Sequence, residues 1–263
     1  MSIPFDIIEA KEKTDKWIVF IHGFGGSRKM FKKQIDSFKD FFNLLVLDLP
    51  GHGNSEQGLH EITEDKDNGH GIKEVATEIL NLLKSLNIDK ADFIGVSLGT
   101  LIIAQIALMQ PTIIDKVVLC GAIFGFIGIQ FIVMHLANFL RWILPHQAIV
   151  DTIAFILMPK RSHKKSRSFF IKESKKLDRQ EFMSWFELLK YNSTLVKDKI
   201  TELLKLDSLI IMGKEDNVCL PCVKRLVHKY NLKFKVIENC GHVCNLEKPA
   251  EFNQTALDYL MSA

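Results

Sequence analysis

Six short apolar runs, each closed by a glycine or a turn-forming polar residue, punctuate the chain. They are WIVFIHG (17–23), NLLVLDLPG (43–51), ADFIGVS (91–97), DKVVLCGA (115–122), DSLIIMG (207–213) and KFKVIEN (233–239). Their apolar residues follow one another rather than alternate, the pattern of strands covered on both faces in a parallel sheet. Between them the spacing turns helical. Ile72, Val75, Ala76, Ile79, Leu83 and Leu86 fall on one face of a helix. Residues 98–109 are apolar almost all round, which suits a helix buried against a sheet. Strands alternating with helices predict an α/β chain with a mostly parallel, doubly wound sheet and right-handed crossovers.

The alternation stops between about 122 and 198. No strand-like run closed by turn signals occurs there, and Phe182, Trp185, Phe186 and Leu189 form a helical stripe instead. The expected organisation is therefore an α/β core over 1–121 and 199–263, interrupted by a mainly helical insertion, or cap, over 122–198. Residues 117–140 carry no Asp, Glu, Lys or Arg, long enough to raise a membrane span. The run opens as a strand and is broken by Gly121, Gly125 and Gly128, so a buried or pocket-lining segment is expected. The acidic stretch 56–69 reads as a solvated loop.

Composition adds limits. With 263 residues, 47% hydrophobic and 25% charged, the chain fits one large domain, or a domain with a sizeable insertion. Its opening, MSIPFDIIEAKEKTDK, lacks the apolar core of an export signal. Five cysteines, an odd number, then read as reduced thiols in a cytoplasm. Cys219/Cys222 and Cys240/Cys244 raise a zinc or redox site, but buried thiols are the expected reading, with no metal or cofactor. The net charge of +3 is unevenly placed: residues 159–176 hold 8 basic residues and one acidic. That run reads as a solvated face or as a docking surface for an anionic partner; nucleic acid is not expected.

Ligands of open parallel sheets collect beyond the carboxyl ends of the strands, where the unusual residues gather. Gly95-Val96-Ser97-Leu98-Gly99 is a G-x-S-x-G between a predicted strand and a predicted helix, a sharp turn that exposes the serine hydroxyl. A serine needs a base to act as nucleophile. His242, in ENCGHVCNLEKP, directly follows the last predicted strand. His60, His70 and His163 lie in polar, loop-like segments and are expected in solvent; His135, His146 and His228 fall in helical or insertion segments. Asp216, three residues beyond its strand, is the expected carboxylate partner of the base, with Glu215 its competitor. Asp48 also ends a strand but precedes the nucleophile. HGFGGS (22–27) offers backbone amides for an oxyanion, and the assigned donors are the N–H groups of Phe24 and Leu98. His22 and His52 are read as loop-shaping residues.

With these segments in hand, the chain resembles the α/β-hydrolase superfamily, in its small, cap-bearing serine hydrolase form. HGFGGS, DLPGHGNS, GVSLGT, GKEDNV and CGHVCNLEKP match the family's landmarks in order across 22–250. The resemblance implies the α/β-hydrolase fold with a helical cap after the sixth strand position. It also implies Ser97 as nucleophile, His242 as base and acid, and Asp216 as its orienting partner. A serine at the elbow argues against the epoxide hydrolase and dehalogenase branches. Two departures stand out: few residues precede the first predicted strand, implying a truncated opening hairpin, and Thr100 replaces a glycine common at the elbow.

The expected function is cleavage of a carboxylic ester with a small to medium apolar acyl group, through an acyl-enzyme. One alternative is an ester or thioester of an acyl carrier protein or coenzyme A, docked through the basic run. Another is a ligand receptor or signalling protein on the same fold.

Overall fold

A computed structural model describes residues 3–62, 71–125, 144–189, 203 and 205–262 of the chain. Seven strands form one sheet: β1 (Phe5–Ile8), β2 (Trp17–Ile21), β3 (Asn43–Leu47), β4 (Ala91–Val96), β5 (Ile114–Cys120), β6 (Asp207–Gly213) and β7 (Lys233–Ile237). Their spatial order is β1-β3-β2-β4-β5-β6-β7. Only β1 runs antiparallel, with Phe5 opposite Leu47; the remaining pairs are parallel.

All six residues of central β4 are buried, so its apolar run is continuous for the reason inferred above. The edges differ. In β7, Lys233 and Lys235 face solvent between half-buried Phe234 and Val236, an alternation that one uncovered face explains. β1 is a strand where none was expected: Asp6 and Ile7 are both exposed, so four edge residues leave no apolar run to detect. Among the described residues one strand precedes β2, and the inserted helices follow β5.

The helix Gly71–Ser85 buries Ile72, Val75, Ala76, Ile79 and Leu83, the stripe read from spacing. It packs on the helix Leu98–Met109, while Lys32–Phe38 packs on Pro249–Met261. Between β5 and β6 lie the helices His146–Leu157 and Lys164–Ser174 and a further helix over 179–189. The stripe Phe182, Trp185, Phe186 and Leu189 is buried. Trp185 donates its indole N–H to Pro50 O at 3.1 Å and to Glu181 Oε1 at 2.9 Å, and Glu181 Oε1 accepts the Leu59 N–H at 2.6 Å. The helix over 179–189 is therefore fastened to the loop beyond β3 by polar groups that the apolar burial shields from water.

Among the described residues, no helix is long and apolar enough to cross a membrane. Most of the uncharged run 117–140 lies outside the described residues, as do His70, His135 and residues 63–69 of the acidic stretch.

Candidate active site

Ser97 sits between the end of β4 and the start of the helix Leu98–Met109, with φ +53° and ψ −113°. A side chain at positive φ carries roughly 1–3 kcal/mol of strain, and hydrogen bonds hold it there. The Ser97 N–H donates to Cys120 O at 2.9 Å, and its carbonyl accepts the Thr100 hydroxyl at 2.6 Å. Thr100 Oγ1 in turn accepts the Ile123 N–H at 3.2 Å. The threonine that departs from the expected elbow pattern thus ties the turn to the chain leaving β5.

The flanking glycines are needed because helix and strand touch. A Cβ at Gly99 would lie 2.2 Å from Ile21 O, and one at Gly95 2.9 Å from the Gly99 backbone. This crowding turns the Ser97 side chain outward.

The next two candidates come from loops after β6 and β7. His242 Nε2 lies 2.8 Å from Ser97 Oγ, and His242 Nδ1 lies 2.7 Å from Asp216 Oδ2. Asp216 is fully buried. Its other oxygen accepts the N–H groups of Cys219 at 2.9 Å and Val218 at 3.1 Å, so the carboxylate has a fixed orientation. Burial by itself would raise the Asp216 pKa; the His242 charge and hydrogen bond, with those two amides, outweigh it and hold the carboxyl below its ordinary value. Burial by itself would lower His242; the Asp216 carboxylate, with Cys219, outweighs it and holds the imidazole well above 6.5. A carboxylate at Nδ1 keeps the proton there, leaving Nε2 to accept from the serine.

Phe24 and Leu98, the assigned amide donors, flank this point. A Cβ at Gly23 would lie 3.1 Å from Ser97 Cβ, which puts the backbone before Phe24 against the serine. Leu98 is the first residue of its helix, where an N–H has no acceptor within the helix. Neither N–H has a hydrogen-bond acceptor among the described residues.

His22 Nε2 accepts the Leu49 N–H at 2.9 Å and His52 Nε2 the Gly25 N–H at 3.0 Å. The two imidazoles join the 22–27 loop to the 48–55 loop. Burial drops their pKa values to about 4 and about 3, so both stay neutral acceptors near pH 7. Asp48 accepts the Arg28 N–H at 2.7 Å and the Asn54 N–H at 3.0 Å, bracing the same loops away from the serine.

Ser97 and His242 open on a cavity of about 270 Å³, lined among others by Phe24, Ile153, Met158, Phe169, Phe186 and Leu246. Helices from between β5 and β6 supply much of its wall, so the apolar residues of the insertion face the serine.

Glu215 does not reach His242. Its carboxylate binds Lys160 Nζ at 2.6 Å and His163 Nε2 at 2.7 Å. His163, expected in solvent, is wholly buried; a polar neighbourhood in sequence disguised an imidazole enclosed by two glutamates from distant loops. All five cysteines are buried and free. Among the described residues the one compact group of possible metal ligands is Asp216, Cys219 and His242, within 4.8 Å of one another. There Asp216 and His242 already bind each other, and burial pushes the Cys219 thiol up to about 11.

A family model described as alpha/beta hydrolase fold matches residues 16–148. RutD of Agrobacterium fabrum, named for carbamate hydrolysis, is 36% identical over 105 residues, 40% of this chain and 38% of its own length. The magnesium-chelatase 30 kDa subunit of Rhodobacter capsulatus is 32% identical over 110 residues, 41% of this chain and 36% of that one. The chain thus spans about two-fifths of the curated relatives it matches. The enol-lactonase of Burkholderia xenovorans superposes with a TM-score of 0.81 at 19% identity, covering 99% of this chain and 96% of that one, a likeness of fold. Sheet order, elbow and family match together place this chain in the alpha/beta hydrolase fold family.

Proposed function

We propose that the chain is a serine hydrolase that cleaves a carboxylic ester of a small to medium apolar acyl group. The observation that carries this reading is the continuous relay Ser97–His242–Asp216, with 2.8 Å and 2.7 Å contacts, facing an apolar cavity. Ser97 attacks the acyl carbon while His242 Nε2 takes its proton, and Asp216 stabilises the imidazolium. The N–H groups of Phe24 and Leu98 hold the tetrahedral oxyanion, each worth roughly 3–4 kcal/mol in such sites. His242 then returns the proton to the departing alcohol, and water releases the acid by the reverse sequence. No metal or cofactor enters these steps. In this reading residues 122–198 are a cap over the core formed by 1–121 and 199–263. The five buried thiols suit a reducing cytoplasm.

A fluorophosphonate probe tests the core of the proposal: it labels the wild type at Ser97 and leaves Ser97→Ala unlabelled. Equal labelling of both, or of neither, refutes it and favours the receptor reading. Acyl esters graded by length, with thioesters, carbamates and lactones added because of the relatives' names, then define the substrate.

One observation favours a second reading, an acyl group borne by an acidic carrier. On the helix Lys164–Ser174, the side chains of Lys164, Lys165 and Lys172 are exposed, as are neighbouring Arg161 and Lys175. Among the described residues none of these five cations has an ion-pair partner. The same helix turns Phe169 and Phe170 into the cavity. The test is salt: kcat/KM for a carrier-bound acyl group falls steeply with ionic strength while that for a neutral ester does not. Equal responses remove this reading.

A further inference from the structure

The insertion reaches the loops of both candidate triad partners through one buried side chain. His163 belongs to the short turn Arg161–His163 that leads into the helix Lys164–Ser174. It is 0% exposed. Its Nε2 lies 2.7 Å from Glu215 Oε2 and 3.6 Å from Glu247 Oε2. Glu215 immediately precedes Asp216. Glu247 Oε2 accepts the N–H of Gly241 at 2.6 Å, and Gly241 immediately precedes His242.

Further contacts close the cluster. Ser166 donates to Glu247 Oε1 at 3.1 Å, Lys160 Nζ binds Glu215 Oε1 at 2.6 Å, and the Glu215 N–H donates to Cys240 O at 2.8 Å. A Cβ on Gly241 would lie 3.0 Å from His163 Cε1, so the imidazole stacks directly on the backbone before His242. The tautomer is also set. Nδ1 faces the Lys160 N–H at 3.4 Å and accepts from it, which leaves Nε2–H as the donor to Glu215.

We propose that His163 is a positioning residue: by joining Glu215 to the Glu247–Gly241 contact, it sets the separation of Asp216 and His242. The idea rests on the catalytic reading of Ser97, His242 and Asp216. Its physical basis is that the backbone bonds joining the loops after β6 and β7, such as Glu215 N–H to Cys240 O, lie at their bases, whereas the buried His163 imidazole touches the residues immediately before Asp216 and His242 at once. Without it, Glu215 keeps Lys160 and Glu247 keeps Ser166 and Gly241, but no donor bridges the two half-buried carboxylates, and their repulsion drives the loops apart. The 2.7 Å contact that raises His242 then lengthens.

The test compares wild type, His163→Ala and His163→Gln, whose amide N–H can still reach Glu215. Three readouts are followed: the His242 titration by proton NMR of its ring, the pH dependence of fluorophosphonate labelling at Ser97, and kcat against KM for an ester that is turned over. In His163→Ala, His242 titrates at lower pH and labelling slows about ten- to one-hundredfold, with KM changed less than threefold. His163→Gln recovers most of each effect. An unshifted His242 titration in a folded His163→Ala overturns the proposal, and so does a shift that glutamine fails to rescue. If His163→Ala does not fold, a His163→Gln whose His242 titration and labelling rate both match Ala-like loss rather than wild type overturns it equally. Should wild type fail to label while the His242 titration still responds to position 163, the positioning stands and the hydrolase reading falls.

Discussion

Replacing Asp216 by Asn removes one charge and keeps the shape. Asp216 Oδ1 is held by the N–H groups of Cys219 and Val218 at 2.9 and 3.1 Å. The asparagine oxygen therefore takes that position and its NH₂ group is directed at His242 Nδ1. An imidazole facing a donor at Nδ1 must carry its own proton on Nε2, where it points at Ser97 Oγ and cannot accept. The tautomer error in such a relay costs about 10⁴ in kcat, which is about 5 kcal/mol at 1.36 kcal/mol per decade. A second consequence follows from charge. The Asp216 carboxylate is what lifts His242 above 6.5 against burial. Activity requires neutral His242, so wild-type kcat/KM falls as pH drops through a value above 6.5. In Asp216→Asn that pull is gone, and the acid limb of the residual activity moves to lower pH. The assay is kcat/KM for the best ester between pH 5 and 9, with labelling rates alongside. A loss smaller than tenfold with an unmoved acid limb would refute the reasoning. Glu215→Gln, which leaves Asp216 in place, is expected to lose far less.

Other outcomes follow from single contacts. Gly99→Ala forces a Cβ to within 2.2 Å of Ile21 O, so thermal denaturation is expected to show a loss of about 3 kcal/mol or an insoluble product. Asp92 is raised from 3.8 to about 6, chiefly by burial; folded protein then holds this proton more tightly than unfolded, so the stability it contributes is complete below about pH 4 and lost as pH rises through 6. Asp92→Asn should accordingly raise Tm at pH 8 more than at pH 4, and an equal change would reject burial as the cause. Leu157 lines the cavity, and Leu157→Trp is expected to lower kcat/KM for octanoyl esters relative to acetyl esters about tenfold or more, measured with paired p-nitrophenyl esters.

Six of the seven strands and the candidate triad are legible in the sequence because both rest on local signals. A strand covered on both faces must be apolar throughout, as in β4, and Ser97 and Asp216 follow such strands within a few residues while His242 follows the edge strand β7, so strand ends are enough to rank them. The helical stripe at 182–189 was legible for the same reason: its period reports one buried face. Edges and polar clusters are harder to read. β1 offers four residues with two in water and no run to detect; the run at 233–239 does predict β7, but not the alternation that its uncovered face imposes. The charged neighbours of His163 in sequence predict a solvated ring, yet Glu215 and Glu247, 52 and 84 positions away, enclose it. Glu215 was a plausible acid by position alone, and only the fold turned it toward Lys160 and His163 instead. Burial of a polar side chain is decided by partners that the chain brings from elsewhere, and no local period records where they will come from.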